Sequence, residues 1–214
     1  MTLDELQACK REGRKIAAVV AWDTPTARLL DEAGVDVVSI GDSVAVNLWG
    51  RDREGDVSLD ELVLLTAAVR RGVQRALVSC DLPEPSVAAA TQLLDAGADV
   101  VKVDRGVEEL AAAGIPAFAQ LDGSAGDVDA LVEEAKRLEA SGAALLDFRH
   151  SGPVAGPRVV SAVSIPVLGG LGGGPWLDGR VRLLTRLVDP GPAIREAVAA
   201  YLDDVRGARP VKGD

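Results

Sequence analysis

Leu30-Asp-Glu-Ala-Gly-Val-Asp-Val-Val38 decides how this chain folds. It reads as the last turn of a helix, a glycine, then a β-branched run. Leu94-Asp-Ala-Gly-Ala-Asp-Val-Val101 repeats it closely. Leu110-Ala-Ala-Ala-Gly-Ile-Pro-Ala-Phe118 and Leu138-Glu-Ala-Ser-Gly-Ala-Ala-Leu-Leu146 repeat it more loosely. Gly34, Gly97, Gly114 and Gly142 suit the left-handed position that closes a helix. Gly72 is expected to close another helix before Ala76-Leu-Val-Ser79. Helix, glycine and buried strand in repetition indicate βα units around a parallel sheet.

Strands are predicted at 16–21, 35–40, 76–80, 100–103, 117–121, 144–148 and 167–169, with an eighth at 181–184. Thr24-Pro25 opens the helix after the first strand, as a cap followed by proline. Ser58-Leu-Asp-Glu61 has the form of a capping box. Residues 127–140 and 192–206 have amphipathic helical spacing. The residues after Gly207 read as a tail. Seven or eight such units in 214 residues predict one α/β domain, a compact (βα)8 TIM barrel over 1–214. A doubly wound open sheet has the same periodicity.

Composition narrows the function. The net charge of -10 leaves no basic surface for nucleic acid. Cys9 and Cys80 are too few for a disulfide framework or a zinc site. No run approaches the ~18 apolar residues of a membrane span, and Met1 precedes a polar helix, so a cytoplasmic protein is expected.

In a barrel the carboxyl ends of the strands converge on one face. Here those ends carry Asp23, Asp42-Ser43, Asp81, Lys102-Val-Asp104, Gln120-Leu-Asp122 and Asp147. Carboxylates gathered there repel by roughly several kcal/mol unless a cation intervenes. Oxygen ligands without histidine suit Mg²⁺ or Mn²⁺. Asp42, Asp81 and Asp104, on successive strands, are the expected metal ligands. Lys102 lies two residues before Asp104, shares its face, and is placed to hold an anion or a developing oxyanion. Each acid has a plainer reading as a helix cap; Asp23 fits a cap and Asp122 a turn. His150, the lone histidine, is either structural or a proton-transfer group. Cys80 reads as packing, and Trp49 and Trp176 as pocket or core residues. The Gly169–Gly174 loop lacks the Lys-Ser/Thr of a P-loop.

These residues also resemble a known family. Ala21-Trp-Asp-Thr-Pro-Thr-Ala-Arg-Leu-Leu-Asp-Glu-Ala-Gly-Val-Asp-Val-Val-Ser-Ile-Gly-Asp-Ser43 is similar to the opening of ketopantoate hydroxymethyltransferases. Those enzymes belong to the phosphoenolpyruvate mutase and isocitrate lyase superfamily of barrels. The resemblance continues through Val57–Glu61, Arg75–Pro83, Ala96–Asp104, Gly114–Pro116, Ile165–Gly169 and Gly174–Gly179. It implies that Asp42 and Asp81 bind Mg²⁺ and that Asp104, a glutamate in the family, supports the metal shell. It implies that Ser43 and Lys102 hold a small 2-oxo acid, and that its enolate attacks a one-carbon unit from methylenetetrahydrofolate. It also implies a homo-oligomer. Asp147 stands for the family's catalytic glutamate, Gln120 for a histidine at the substrate, and Trp22 for a tyrosine. The loop after the fifth strand is cut to Asp122-Gly-Ser-Ala-Gly-Asp127. The expected function is therefore Mg²⁺-dependent carbon–carbon bond formation or cleavage on a 2-oxo acid, with Asp147 as base. A superfamily lyase with another 2-oxo acid, or a non-catalytic binding barrel, are the other readings.

Overall fold

The structure, a computed structural model, describes residues 1–207. The predicted tail lies outside the described residues. Eight parallel strands close into a barrel in chain order. They are β1 (Ile16–Val20), β2 (Val37–Ile40), β3 (Leu77–Asp81), β4 (Val100–Val103), β5 (Ala117–Asp122), β6 (Ala143–Arg149), β7 (Val167–Gly169) and β8 (Gly179–Leu183). The open-sheet alternative is thereby excluded. The Ile16 amide donates to the Asp178 carbonyl where the ends of the sheet meet.

The helices between the strands are α2 (Thr24–Ala33), α3 (Val44–Asn47), α4 (Leu59–Arg70), α5 (Val87–Asp95), α6 (Val107–Ala112), α7 (Val128–Ala140) and α8 (Ala155–Ala162), with α1 (Leu3–Glu12) before β1. The chain forms two compact units, Met1–Arg182 and Leu183–Asp214. The described part of the second holds a 3₁₀ turn at Leu184–Arg186 and α9 (Gly191–Arg206). Among the described residues, no helix is long and apolar enough to cross a membrane.

The repeated motif has one local explanation. At the ends of α2, α5 and α6, the glycine amide bonds back three residues and the next amide bonds back five. Thus Gly34 N–H reaches Asp31 O and Val35 N–H reaches Leu30 O; Gly97 with Ala98, and Gly114 with Ile115, do the same. These three glycines have φ of 88°, 111° and 73°, where a Cβ is strained. The bond to Leu30 holds Val35 in the helix closure, so β2 starts at Val37 rather than 35.

Two local expectations need correction. Asp23, not Thr24, caps α2, its carboxylate accepting from the Thr26 amide at 2.8 Å. Gly72 has no positive φ; a Cβ there would lie 2.4 Å from the Thr24 carbonyl, so close approach of α4 to α2 requires the glycine. The Ser58–Glu61 capping box on α4 is present.

β2, β3, β4 and β7 are buried along their whole length, as parallel strands covered on both faces must be. Leu62 of α4, Leu93 of α5 and Leu110 of α6 are buried in the layer around the barrel. Truncating any of these to alanine costs about 2–5 kcal/mol. With the strands so fixed, every β-to-α turn opens on one end of the barrel.

Candidate active site at the carboxyl end of the barrel

β2 ends at Gly41-Asp42-Ser43. A Cβ on Gly41 would stand 2.9 Å from Ser43 Oγ and 3.4 Å from Asp81 Oδ2, so any larger residue would displace the Ser43 hydroxyl. The Asp42 amide donates to Asp81 Oδ2 at 3.3 Å, drawing the ends of β2 and β3 together. Asp81 is buried, and its Oδ1 accepts no hydrogen bond. Lys102 Nζ, from β4, lies 3.0 Å from that oxygen as an ion pair without hydrogen-bond alignment. Burial and the Asp81 charge push the Asp42 carboxyl up to about 6. Burial opposes the charge on Lys102, but Asp81 and Asp147 outweigh it and hold the ammonium above the usual lysine range. Lys102 therefore stays protonated, and it sits 5.6 Å from the Phe118 ring centre.

Asp42, Asp81, Lys102, Asp104, Gln120 and Arg149 wall one cavity of about 180 Å³, with Leu82 and Pro83 as its apolar side. The expected groups separate there. Asp42, Asp81 and Lys102 come together. Asp104 reaches the wall but is exposed and pairs with Arg105 at 3.1 Å. Among the described residues, no group of three or more His, Cys, Asp or Glu is gathered for a metal. Asp42 and Asp81, the latter with a buried oxygen that accepts no hydrogen bond, still fit Mg²⁺, which binds through one or two carboxylates and keeps several waters.

Asp147 does not wall the cavity. It is 2 % exposed, and both of its oxygens are engaged. Oδ2 faces Lys102 Nζ at 3.5 Å and Arg149 Nε at 3.3 Å, while Oδ1 accepts from the Gly170 amide at 3.3 Å. Ser43 also stands off the cavity wall, its hydroxyl beside Gly41.

Arg149 is the cavity residue that the sequence reading passed over. Its signal was the two-residue spacing from Asp147 on one strand, which places both on one face. Burial works against its charge, but Asp147 and Asp81 hold its pKa above the ordinary value.

His150 lies off the cavity wall, at φ 51°, with Nδ1 2.9 Å from Asp122 Oδ1 and its amide donating to Leu171 O. Asp122 also accepts from Ser124 N–H, as a turn residue does. Burial raises the Cys80 thiol to about 12, which leaves no thiolate nucleophile. Trp176 donates to Ser151 Oγ and fills the space beside Gly156, and Trp49 stacks with Arg51.

Comparison with known proteins shows the family and the fold. A sequence model of the ketopantoate hydroxymethyltransferase family matches residues 1–204. The 3-methyl-2-oxobutanoate hydroxymethyltransferase of a Cyanothece species is 36 % identical, over 85 % of this chain and 81 % of that one. The enzyme of the same name from Pyrococcus abyssi is 32 % identical, over 91 % and 80 %. Among solved structures, phosphonopyruvate hydrolase in complex with oxalate and Mg²⁺ superposes with a TM-score of 0.71 at 16 % identity, over 99 % of this chain and 93 % of that one. 2,3-Dimethylmalate lyase, a member of the phosphoenolpyruvate mutase and isocitrate lyase superfamily, gives 0.70 at 14 %, over 99 % and 90 %. The two structures share the barrel fold. On the match over residues 1–204 and these sequence relatives, the chain belongs to the ketopantoate hydroxymethyltransferase family of enzymes.

Proposed function

We propose that this enzyme uses a divalent cation to make or break a carbon–carbon bond beside the oxo group of a small 2-oxo acid. The observation that carries the reading is the buried Asp81 Oδ1, which accepts no hydrogen bond, beside Asp42 and its ion-pair partner Lys102 in one cavity. Asp42 and Asp81 are the residues to hold Mg²⁺ or Mn²⁺, and Asp104 stands at the rim. When bound, that ion supplies Lewis-acid polarisation of the 2-oxo group.

The chain's own residues do the rest. Lys102, kept charged by two carboxylates, offers N–H donors to the substrate anion and to negative charge that develops on its oxygen. Gln120 adds a neutral donor and acceptor on the same wall. Ser43 supports the turn that sets Asp42. Asp147 has both oxygens occupied, so the geometry favours it as the anchor of Lys102 and Arg149 over the role of free base. A second cavity of about 490 Å³ shares Leu82 and Pro83 with the first and is bounded by residues of α4 and α5. Its size favours a bulkier co-substrate, such as a methylenetetrahydrofolate donor. The family resemblance favours a homo-oligomer.

The test is twofold. Calorimetry is expected to show Mg²⁺ or Mn²⁺ uptake that Asp42→Asn removes. Loss of C3 deuterium from labelled 2-oxo acids, 3-methyl-2-oxobutanoate among them, is expected to require the metal. No uptake, and no exchange or cleavage across the panel, would sink the proposal.

A further inference from the structure

The charges around the cavity are unevenly committed. Asp104 is tied to Arg105, and Lys102 is shared by Asp81 and Asp147. Arg149 is different. Its Nε leans on Asp147 Oδ2 at 3.3 Å, which fixes the plane of the guanidinium. Among the described residues, its two terminal Nη groups make no hydrogen bond. The side chain is 32 % exposed and forms part of the cavity wall. A guanidinium held by its Nε and open at its Nη pair presents the fork that meets a carboxylate with two parallel hydrogen bonds.

The apolar lining points the same way. It consists of Leu82 and Pro83, adjacent residues just beyond β3. The β5 and β6 side presents Gln120 and Arg149. An alkyl tail lying on that side would cover the Nη donors and give them no acceptor, which is costly for a charged group. An anionic group there would satisfy them.

We infer that Arg149 is a specificity-determining residue, and that the cavity takes a 2-oxo acid carrying a second anionic group in preference to one ending in a branched alkyl chain. Asp147 is its positioning residue. The inference rests on the reading that Asp42, Asp81 and Lys102 hold the cation and the 2-oxo acid end; Arg149 then takes the far end.

The test titrates Mg²⁺-loaded protein calorimetrically with oxaloacetate, 2-oxoglutarate, 2-oxobutanoate and 3-methyl-2-oxobutanoate. At least one diacid is expected to bind 10-fold or more tightly than either monoacid. Arg149→Gln is expected to weaken that diacid by about 10-fold or more beyond whatever it does to the monoacids, as loss of one charged hydrogen-bonding partner should. Arg149→Lys, which keeps the charge and loses the fork, is expected to retain part of the preference, and it covers the case in which the glutamine variant folds poorly. Equal binding of monoacids and diacids, or equal weakening of both by Arg149→Gln, overturns the inference and leaves the broader proposal standing. Failure of all four acids to bind overturns both.

Discussion

At the amino-terminal ends of the strands, Asp31 accepts from the amides of Gln74, Arg75 and Ala76, and Asp36 accepts from Ala17 N–H and Arg14. Asp178 accepts from Val167 N–H at 2.9 Å and pairs with Lys10 at 2.9 Å. At the carboxyl ends, Asp42 and Asp81 crowd each other, and a buried oxygen of Asp81 accepts nothing. One end of the barrel meets each of these aspartates with backbone N–H groups. The other end brings acids together and balances them mainly with the side-chain charges of Lys102 and Arg149. The same side chain thus ties strands to loops at one end and stores electrostatic strain at the other.

Asp81→Asn gives the largest expected contrast. Turnover should fall by about 10³-fold, because several kcal/mol of charge stabilisation is lost. The metal-free unfolding midpoint should fall less than in Asp178→Ala, since relief of the repulsion with Asp42 offsets part of the lost Lys102 pair. Asp178→Ala should do the reverse. It removes the ion pair of Lys10, which keeps only its bond to the Val160 carbonyl, and strands the Val167 amide; urea denaturation should show a loss of about 3 kcal/mol with turnover per folded molecule unchanged. If Asp81→Asn destabilises the fold as much as Asp178→Ala, the contrast between the two ends is broken.

The smallest effect is in pH dependence, where the two ends have opposite signs. Folding raises the Asp42 carboxyl to about 6 from an ordinary value of 3.8. The folded state therefore holds that proton longer, and metal-free stability from this group declines as pH rises from about 4 to about 6. For Asp31, burial raises the pKa but three backbone amides outweigh it, so the value lies below 3.8. Its contribution is present above the unfolded value and is lost as pH falls through the lower folded one. Thermal melts of wild type, Asp42→Asn and Asp31→Asn from pH 3 to 7 separate the two. Flattening of the same limb by both variants would contradict the assignment.

The barrel was legible because its helix closures are local. Leu30–Val38 carries its own glycine, its own back-bonds and its own buried run, and the chain repeats that unit. Lys102 was legible because period-two alternation sets a side chain's face. What spacing does not set is depth along a tilted strand, which depends on the stagger of the whole barrel. Asp147 and Arg149 share a face of β6, yet the first is sealed beneath the cavity and the second walls it. Strand-end acids were ambiguous for a related reason. Asp23 turns to the amide and hydroxyl of Thr26 in α2 and Asp104 to Arg105, choices made by the neighbouring loop and not by the strand.

Across β3, β4 and β6, Asp81, Lys102, Asp147 and Arg149 alternate in sign, each within 3.5 Å of the next. Such a row is thermodynamically linked from end to end. A cation drawn to Asp81 competes with Lys102 for it and frees the ammonium for an incoming anion. The anion is then bound more tightly once the cation is present, and linkage requires the cation to be bound more tightly once the anion is present, by the same factor. On the proposed function, the row favours mutually reinforcing binding of cation and anion.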